Sequence, residues 1–193
     1  MKRNIAVVAM VVVFLATLPL AAFAGDMKVL GVTFPGEKVI EGKTLTLNGV
    51  AYRKALGIVK VYAVGLYLEK PSQDPQEVIE SEQVKYLLTH YLTKKATAKK
   101  IQEGFMDVIT ECNPPELVEA NRADIEKYAA WLNKDMAPGL TSFSTYVPGK
   151  GLTLTFQGEE RGTISGSTFM QMYYRYNVGE KAPRNIRKGL LGL

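Results

Sequence analysis

TLTLNGVAYRKALGIVKVYAVGLYLEK, residues 44–70, decides how this chain is read. From Val61 to Leu68 the side chains separate with period two. Tyr62, Val64, Leu66 and Leu68 fall on one face, and Val61, Ala63, Gly65 and Tyr67 on the other. Both faces are largely apolar, which predicts an interior strand. Arg53 stands in an apolar β pattern a few residues before Tyr62, and an unpaired guanidinium buried there is too costly to leave without a partner or an anion.

Strand signals continue on both sides. Met27–Phe34 reads as a first strand broken by Pro35-Gly36, and Thr44–Leu47 as a second ending at Asn48-Gly49, a turn of the type that hairpins favour. Val50–Ala55 and Ile58–Leu68 follow, joined near Gly57, so that the whole makes an antiparallel meander. Asp74 and Pro75 open a short helix to Glu82, and Val84–Leu92 is again a strand. Ile101, Phe105, Val108, Ile109 and Cys112 then recur at helical spacing until Pro114-Pro115, and a second helix is expected from Pro115 to about Asp135. Thr141–Val147 and Leu152–Gln157 form a hairpin about Pro148-Gly149-Lys150-Gly151, with Glu159–Ile164 as a short extension. A helix capped by Ser165 or Ser167 carries Phe169, Met172, Tyr173 and Tyr176, and Pro183–Leu191 is a last short helix. Strands followed by helices, a hairpin and more helices predict an α+β domain, a large antiparallel sheet covered on one face by helices.

Residues 1–24 read as a secretory signal peptide. Lys2 and Arg3 precede the apolar run Ile5–Leu20, and Ala22-Phe23-Ala24 is a small-x-small cleavage triplet. Export to the periplasm or beyond is the expectation, with residues 25–193 as one domain. Of the +5 formal charge over 193 residues the leader holds two positive groups, so the remaining excess is too slight for a nucleic-acid partner. Lysines at 94, 95, 99 and 100, and Lys181, Arg184, Arg187 and Lys188, read as solvated faces; contact with an anionic membrane surface is the other use such clusters have.

The chemistry is narrow. Cys112 is the only cysteine and His90 the only histidine, which removes paired-cysteine metal sites and two-histidine zinc motifs. Neither a P-loop nor a G-x-S-x-G elbow occurs. No metal and no cofactor is expected, with axial haem ligation by His90 or a tyrosine left open. Cys112 reads as a buried thiol, and Glu159-Glu160 as a solvated turn at a strand end. An apolar sheet under helices contributing Phe105, Ile109, Phe169 and Met172 can hold a cleft. There Arg53 could offer a two-pronged fork to a carboxylate with the Tyr62 hydroxyl as a further donor, or it could pair structurally with a Glu or backbone carbonyls.

The segment LNGVAYRKALGIVKVYAVGLYLEK, with its Gly65-Leu66-Tyr67-Leu68-Glu69, resembles the start of the chalcone isomerase fold, and FMQMYYRYNVGEKAPRNIRKGLLG is similar to the C-terminal region of bacterial exported chalcone-isomerase-like proteins. The resemblance runs from about Val32 to Leu191. It implies an open-faced β-sandwich with a ligand cleft between the large sheet and a helical layer. It also implies that Arg53 matches the isomerase arginine, while the partner threonine falls at Tyr62, giving the Arg and Tyr that fatty-acid-binding members of the fold place on the carboxylate. The isomerase Tyr and Asn fall at Thr97 and Gly104, so both are lost. The expectation is therefore a non-catalytic binding protein for a fatty acid or similar amphipathic carboxylate, with Arg53, Tyr62 and Thr97 as ligand-binding residues. The alternatives are an intramolecular lyase or isomerase of a planar phenolic substrate, and a ligand-free envelope interaction protein.

Overall fold

A computed structural model of the chain describes residues 25–193, so the signal-peptide reading of residues 1–24 lies outside the described residues. The strands are β1 (Met27–Val29), β2 (Val32–Phe34), β3 (Glu37–Ile40), β4 (Lys43–Ala55), β5 (Val59–Leu68), β6 (Lys85–Tyr91), β7 (Thr141–Val147), β8 (Gly151–Phe156) and β9 (Glu159–Ile164). The helices are α1 (Pro75–Glu80), α2 (Ala98–Cys112), α3 (Pro115–Ala120), α4 (Arg122–Trp131), α5 (Thr168–Val178) and α6 (Arg184–Leu190). Strands β3 to β9 form one antiparallel seven-stranded sheet in sequence order, and β1–β2 is a separate hairpin. This is the α+β architecture that the strand and helix order predicts, in the open-faced form that the resemblance implies. Among the described residues no helix is long and apolar enough to cross a membrane.

The period-two reading of β5 holds from Tyr62 to Leu68 and fails at Val61, which a bulge brings to the same side as Tyr62. Val64, Leu66 and Leu68 join the main core under the helices with Ile109, Tyr128, Phe169 and Met172, while Ala63 and Tyr67 point to a second, smaller cluster on the other face. That second cluster lies beneath the β1–β2 hairpin. Phe34 packs so closely on Gly65 that a Cβ there would come within 2.6 Å of its ring, so the face opposite the helices is partly covered.

Four corrections follow from the backbone. Met27–Phe34 is a hairpin rather than one strand, because Leu30 and Gly31 both take positive φ, at 52° and 93°. Strand β3 was not expected; it pairs with β4 across a second such turn at Glu41-Gly42. The helix expected from Pro115 to Asp135 is two, broken at Asn121, whose side-chain amide donates to the Leu117 carbonyl at 2.8 Å and so competes with helix continuation. Trp131 ends the second of them, since Leu132 leaves helical geometry.

The fourth correction is Asn48-Gly49, which lies inside β4 and is no turn. Asn48 is instead the extra residue of a bulge, with Leu47 opposite Tyr67 and Gly49 opposite Leu66. Its amide donates to the carbonyls of Ser72 at 3.0 Å and Leu190 at 2.7 Å, and it accepts from the Ser72 N–H at 2.7 Å. Gly49 lets α6 close on the strand: a Cβ there would stand 2.2 Å from the Gly189 oxygen. The bulge flips the strand's parity, so Leu45 and Leu47 face the second cluster while Ala51 and Arg53 turn to the helical side. Asn48→Ala is expected to lower unfolding free energy by about 2 kcal/mol, because three half-buried backbone groups at this junction lose their bonds. Urea denaturation measures it, and an unchanged midpoint would remove Asn48 as the tie between β4 and α6.

Candidate functional site

Arg53 stands directly opposite Tyr62 in the β4–β5 pairing. A second bulge immediately follows, Val61 being the unpaired residue between the Arg53–Tyr62 and Lys54–Lys60 pairs, and the strand bends there so that Val61 and Tyr62 both border one cavity. That cavity, of about 390 Å³, lies between the end of the β4–β5 hairpin and the first half of α2. Its apolar wall is built by Ala55, Val59, Ile101 and Phe105, with Tyr91 and Tyr176 at the inner end. Among the described residues the charged groups in its lining are Arg53, Lys95 and Lys100, with no Asp or Glu.

Arg53 sits at the mouth and is exposed, which corrects the expectation of a guanidinium buried in an apolar strand. The physical reason is that the last four residues of β4, Tyr52–Ala55, run beyond the packed body of the sheet. Arg53 has no salt bridge among the described residues, so the structural pairing with a Glu does not occur there. Burial pushes the Tyr62 pKa up, and the Arg53 charge and hydrogen bond beside the phenol work against that rise.

Behind Tyr62, Tyr91, Ile101, Phe105 and Tyr176 the cavity continues into an inner chamber of about 90 Å³, room for about three water molecules. Its polar wall comes from Tyr128, Tyr173, Ser142 and Ser144, the Tyr128 hydroxyl lying 2.7 Å from Ser144 Oγ. Burial pushes the pKa values of Tyr91, Tyr128, Tyr173 and Tyr176 upward, so these phenols stay protonated near neutral pH.

Other expected site residues fall elsewhere. Thr97 does not border either chamber; its hydroxyl caps α2, accepting from the Lys100 N–H at 3.5 Å. Phe105 lines the cavity, but Ile109, Phe169 and Met172 are fully buried in the core. Of the tyrosine cluster on α5, Tyr173 and Tyr176 reach the chambers. Tyr174 packs instead over the Lys85 ammonium at 4.9 Å. His90 pairs with Ala63 on the face of the sheet away from the cavity, edge-on to Phe34 at 5.4 Å, and burial and Lys38 push its pKa down. Cys112 is buried. Glu159 is exposed and pairs with Lys134 and Arg161, a surface ion cluster of the kind its strand-end position predicts. Among the described residues no three His, Cys, Asp or Glu side chains gather in a metal-binding arrangement.

Two lining positions carried no sequence signal. Tyr91 is placed by its pairing with Tyr62, which period alone does not give. Gly104, noted only for what the resemblance says it has lost, borders the cavity, and a Cβ on it would meet nothing within 4 Å.

Comparisons with known proteins agree with this architecture. A family model described as chalcone isomerase-like matches residues 26–192. No curated protein matches the chain. Among solved structures it is similar to a fatty-acid binding protein of Arabidopsis thaliana, at 16% identity and a TM-score of 0.68, over 86% of this chain and 95% of that one. At that identity the likeness speaks for the fold.

Proposed function

This chain belongs to the chalcone isomerase-like family, and with that as premise we propose that it is a non-catalytic binding protein of the periplasm for a fatty acid or similar amphipathic carboxylate. The observation that carries the reading is the Arg53–Tyr62 pair at the mouth of an apolar cavity whose charged lining groups, among the described residues, are all cations. A carboxylate would meet Arg53 and Tyr62 there, with Lys95 and Lys100 adding positive potential, while its chain lies along Ala55, Val59, Ile101 and Phe105. The printed description of the Arabidopsis protein as a fatty-acid binding protein supports the same ligand class. The periplasmic location rests on the leader read in residues 1–24.

The isomerase reading asks the site for a base or for an ionised phenol. Among the described residues no His, Asp or Glu lines either chamber, and the phenols bordering them hold their protons. This favours binding over turnover.

The test is mass spectrometry of what the purified protein releases on denaturation, with titration of a fluorescent fatty acid. Arg53→Ala is expected to weaken affinity by roughly tenfold to a hundredfold, the worth of a charge-assisted hydrogen bond. Arg53→Lys should restore only part, since an ammonium cannot form the two-pronged contact. Unchanged lipid occupancy in Arg53→Ala would defeat the proposal.

A further inference from the structure

The β4–β5 hairpin ends in Leu56-Gly57-Ile58, where Leu56 is 93% exposed and Ile58 83%. Leu56 holds φ at +50°, a conformation that turns normally give to Asn or Gly. The other turns of this kind place Leu30, Glu41 and Gln157 at the same position; two of those are polar, and Leu30 is half-buried. Leu56 is therefore both strained and bare, and neither folding nor solubility accounts for it.

Its surroundings are basic. Residues 50–62 and 93–102 contain Arg53, Lys54, Lys60, Lys94, Lys95, Lys99 and Lys100 and no acidic residue. Leu56 itself borders the cavity mouth together with Arg53, Lys95 and Lys100. The nearest acid in sequence, Glu103, is engaged by Lys99 at 3.8 Å.

We infer that this hairpin tip is a docking finger for an anionic lipid bilayer: Leu56 and Ile58 enter the headgroup–acyl boundary while the surrounding lysines and Arg53 meet anionic headgroups. Docked so, the cavity mouth opens onto the bilayer surface, and an amphipathic carboxylate passes between lipid and pocket without crossing bulk water. That route rests on the ligand-binding reading above, whereas the docking itself does not.

Co-flotation of the purified protein with vesicles of phosphatidylcholine alone, or with one third phosphatidylglycerol, tests it. Binding is expected to the phosphatidylglycerol vesicles and to fall steeply as salt is raised. Leu56→Asn combined with Ile58→Ser should weaken partitioning about a hundredfold while leaving thermal stability unchanged or higher, since Asn suits the turn. Lys54→Glu with Lys60→Glu should weaken it by at least about twenty-five-fold, yet leave affinity for a soluble fluorescent fatty acid unchanged. Failure of fatty-acid binding with vesicle binding intact would overturn the pocket reading and not this one. Equal partitioning of wild type and both variants, or no binding of the wild type to charged vesicles, overturns the finger and leaves the tip to a protein partner.

Discussion

Gly104→Phe is expected to abolish fatty-acid retention while the protein stays folded. Gly104 lies within α2, where glycine costs about 0.5–1 kcal/mol relative to alanine. The ordinary reasons for keeping a glycine do not apply: its φ is not positive, and no neighbouring backbone approaches it. What lies over it is the cavity, on the helix face that also carries Lys100, Ile101 and Phe105. A phenyl ring projected from this position would stand inside the about 390 Å³ cavity beside Arg53 and Tyr62, in the path of a bound chain. Affinity should therefore fall by about a hundredfold or more, because the chain of the ligand and the ring compete for one volume. Gly104→Ala is the companion variant: it should gain about 0.5–1 kcal/mol in urea denaturation, with a small change in affinity. A Phe variant that binds as the wild type does would place the ligand elsewhere.

Gly104 also shows what a sequence conceals. Its value lies in an emptiness, and no residue pattern announces one. The fold was far more legible, because alternation in β5 and helical spacing in α2 are local signals that tertiary packing leaves in place. Where reading failed, a distant partner had overridden local preference. Asn48-Gly49 is a turn by its chemistry, yet Ser72 and Leu190 hold the asparagine in a bulge and α6 needs the glycine bare. Leu30-Gly31 and Leu56-Gly57 turn the chain with a leucine where Asn would be expected.

The same bulge decides the site. Counting by twos from Leu45 and Leu47 would send Arg53 to the face away from the helices, and only the added residue brings it opposite Tyr62 on the cavity side. Arg53 was conspicuous as a charge in an apolar strand, and Tyr62 was read beside it from its place on the next strand and from the resemblance. Thr97 was not separable from them by sequence, since a threonine before a helix serves equally as a cap or as a ligand contact.

Lys85→Met is expected to remove a rise in stability between about pH 8 and pH 10 that the wild type should show. Lys85 is fully buried in the main core, its ammonium donating to the Val78 and Ile79 carbonyls at 2.6 and 3.2 Å and so serving the open C-terminal end of α1. Burial pushes its pKa down from 10.5 to about 8, Glu82 opposing the shift. With the folded value below the unfolded one, the unfolded chain binds the extra proton throughout that interval, so stability grows as pH rises through it. At about 1.4 kcal/mol per unit at most, the gain over two units is about 2–3 kcal/mol. Above pH 10 the sign reverses, since burial raises Tyr67, Tyr91 and Tyr128 and the unfolded chain releases phenolic protons that the fold retains. A maximum near pH 9.5–10 is therefore expected. The Met variant keeps the bulk but leaves both carbonyls without a donor, so it should be about 3 kcal/mol less stable than wild type at pH 9.5 and only about 1 kcal/mol less at pH 7. Urea unfolding of both proteins at the two pH values reads this difference, and parallel curves would mean that the folded amine keeps its proton over the same interval as the unfolded one, as a solvated lysine does.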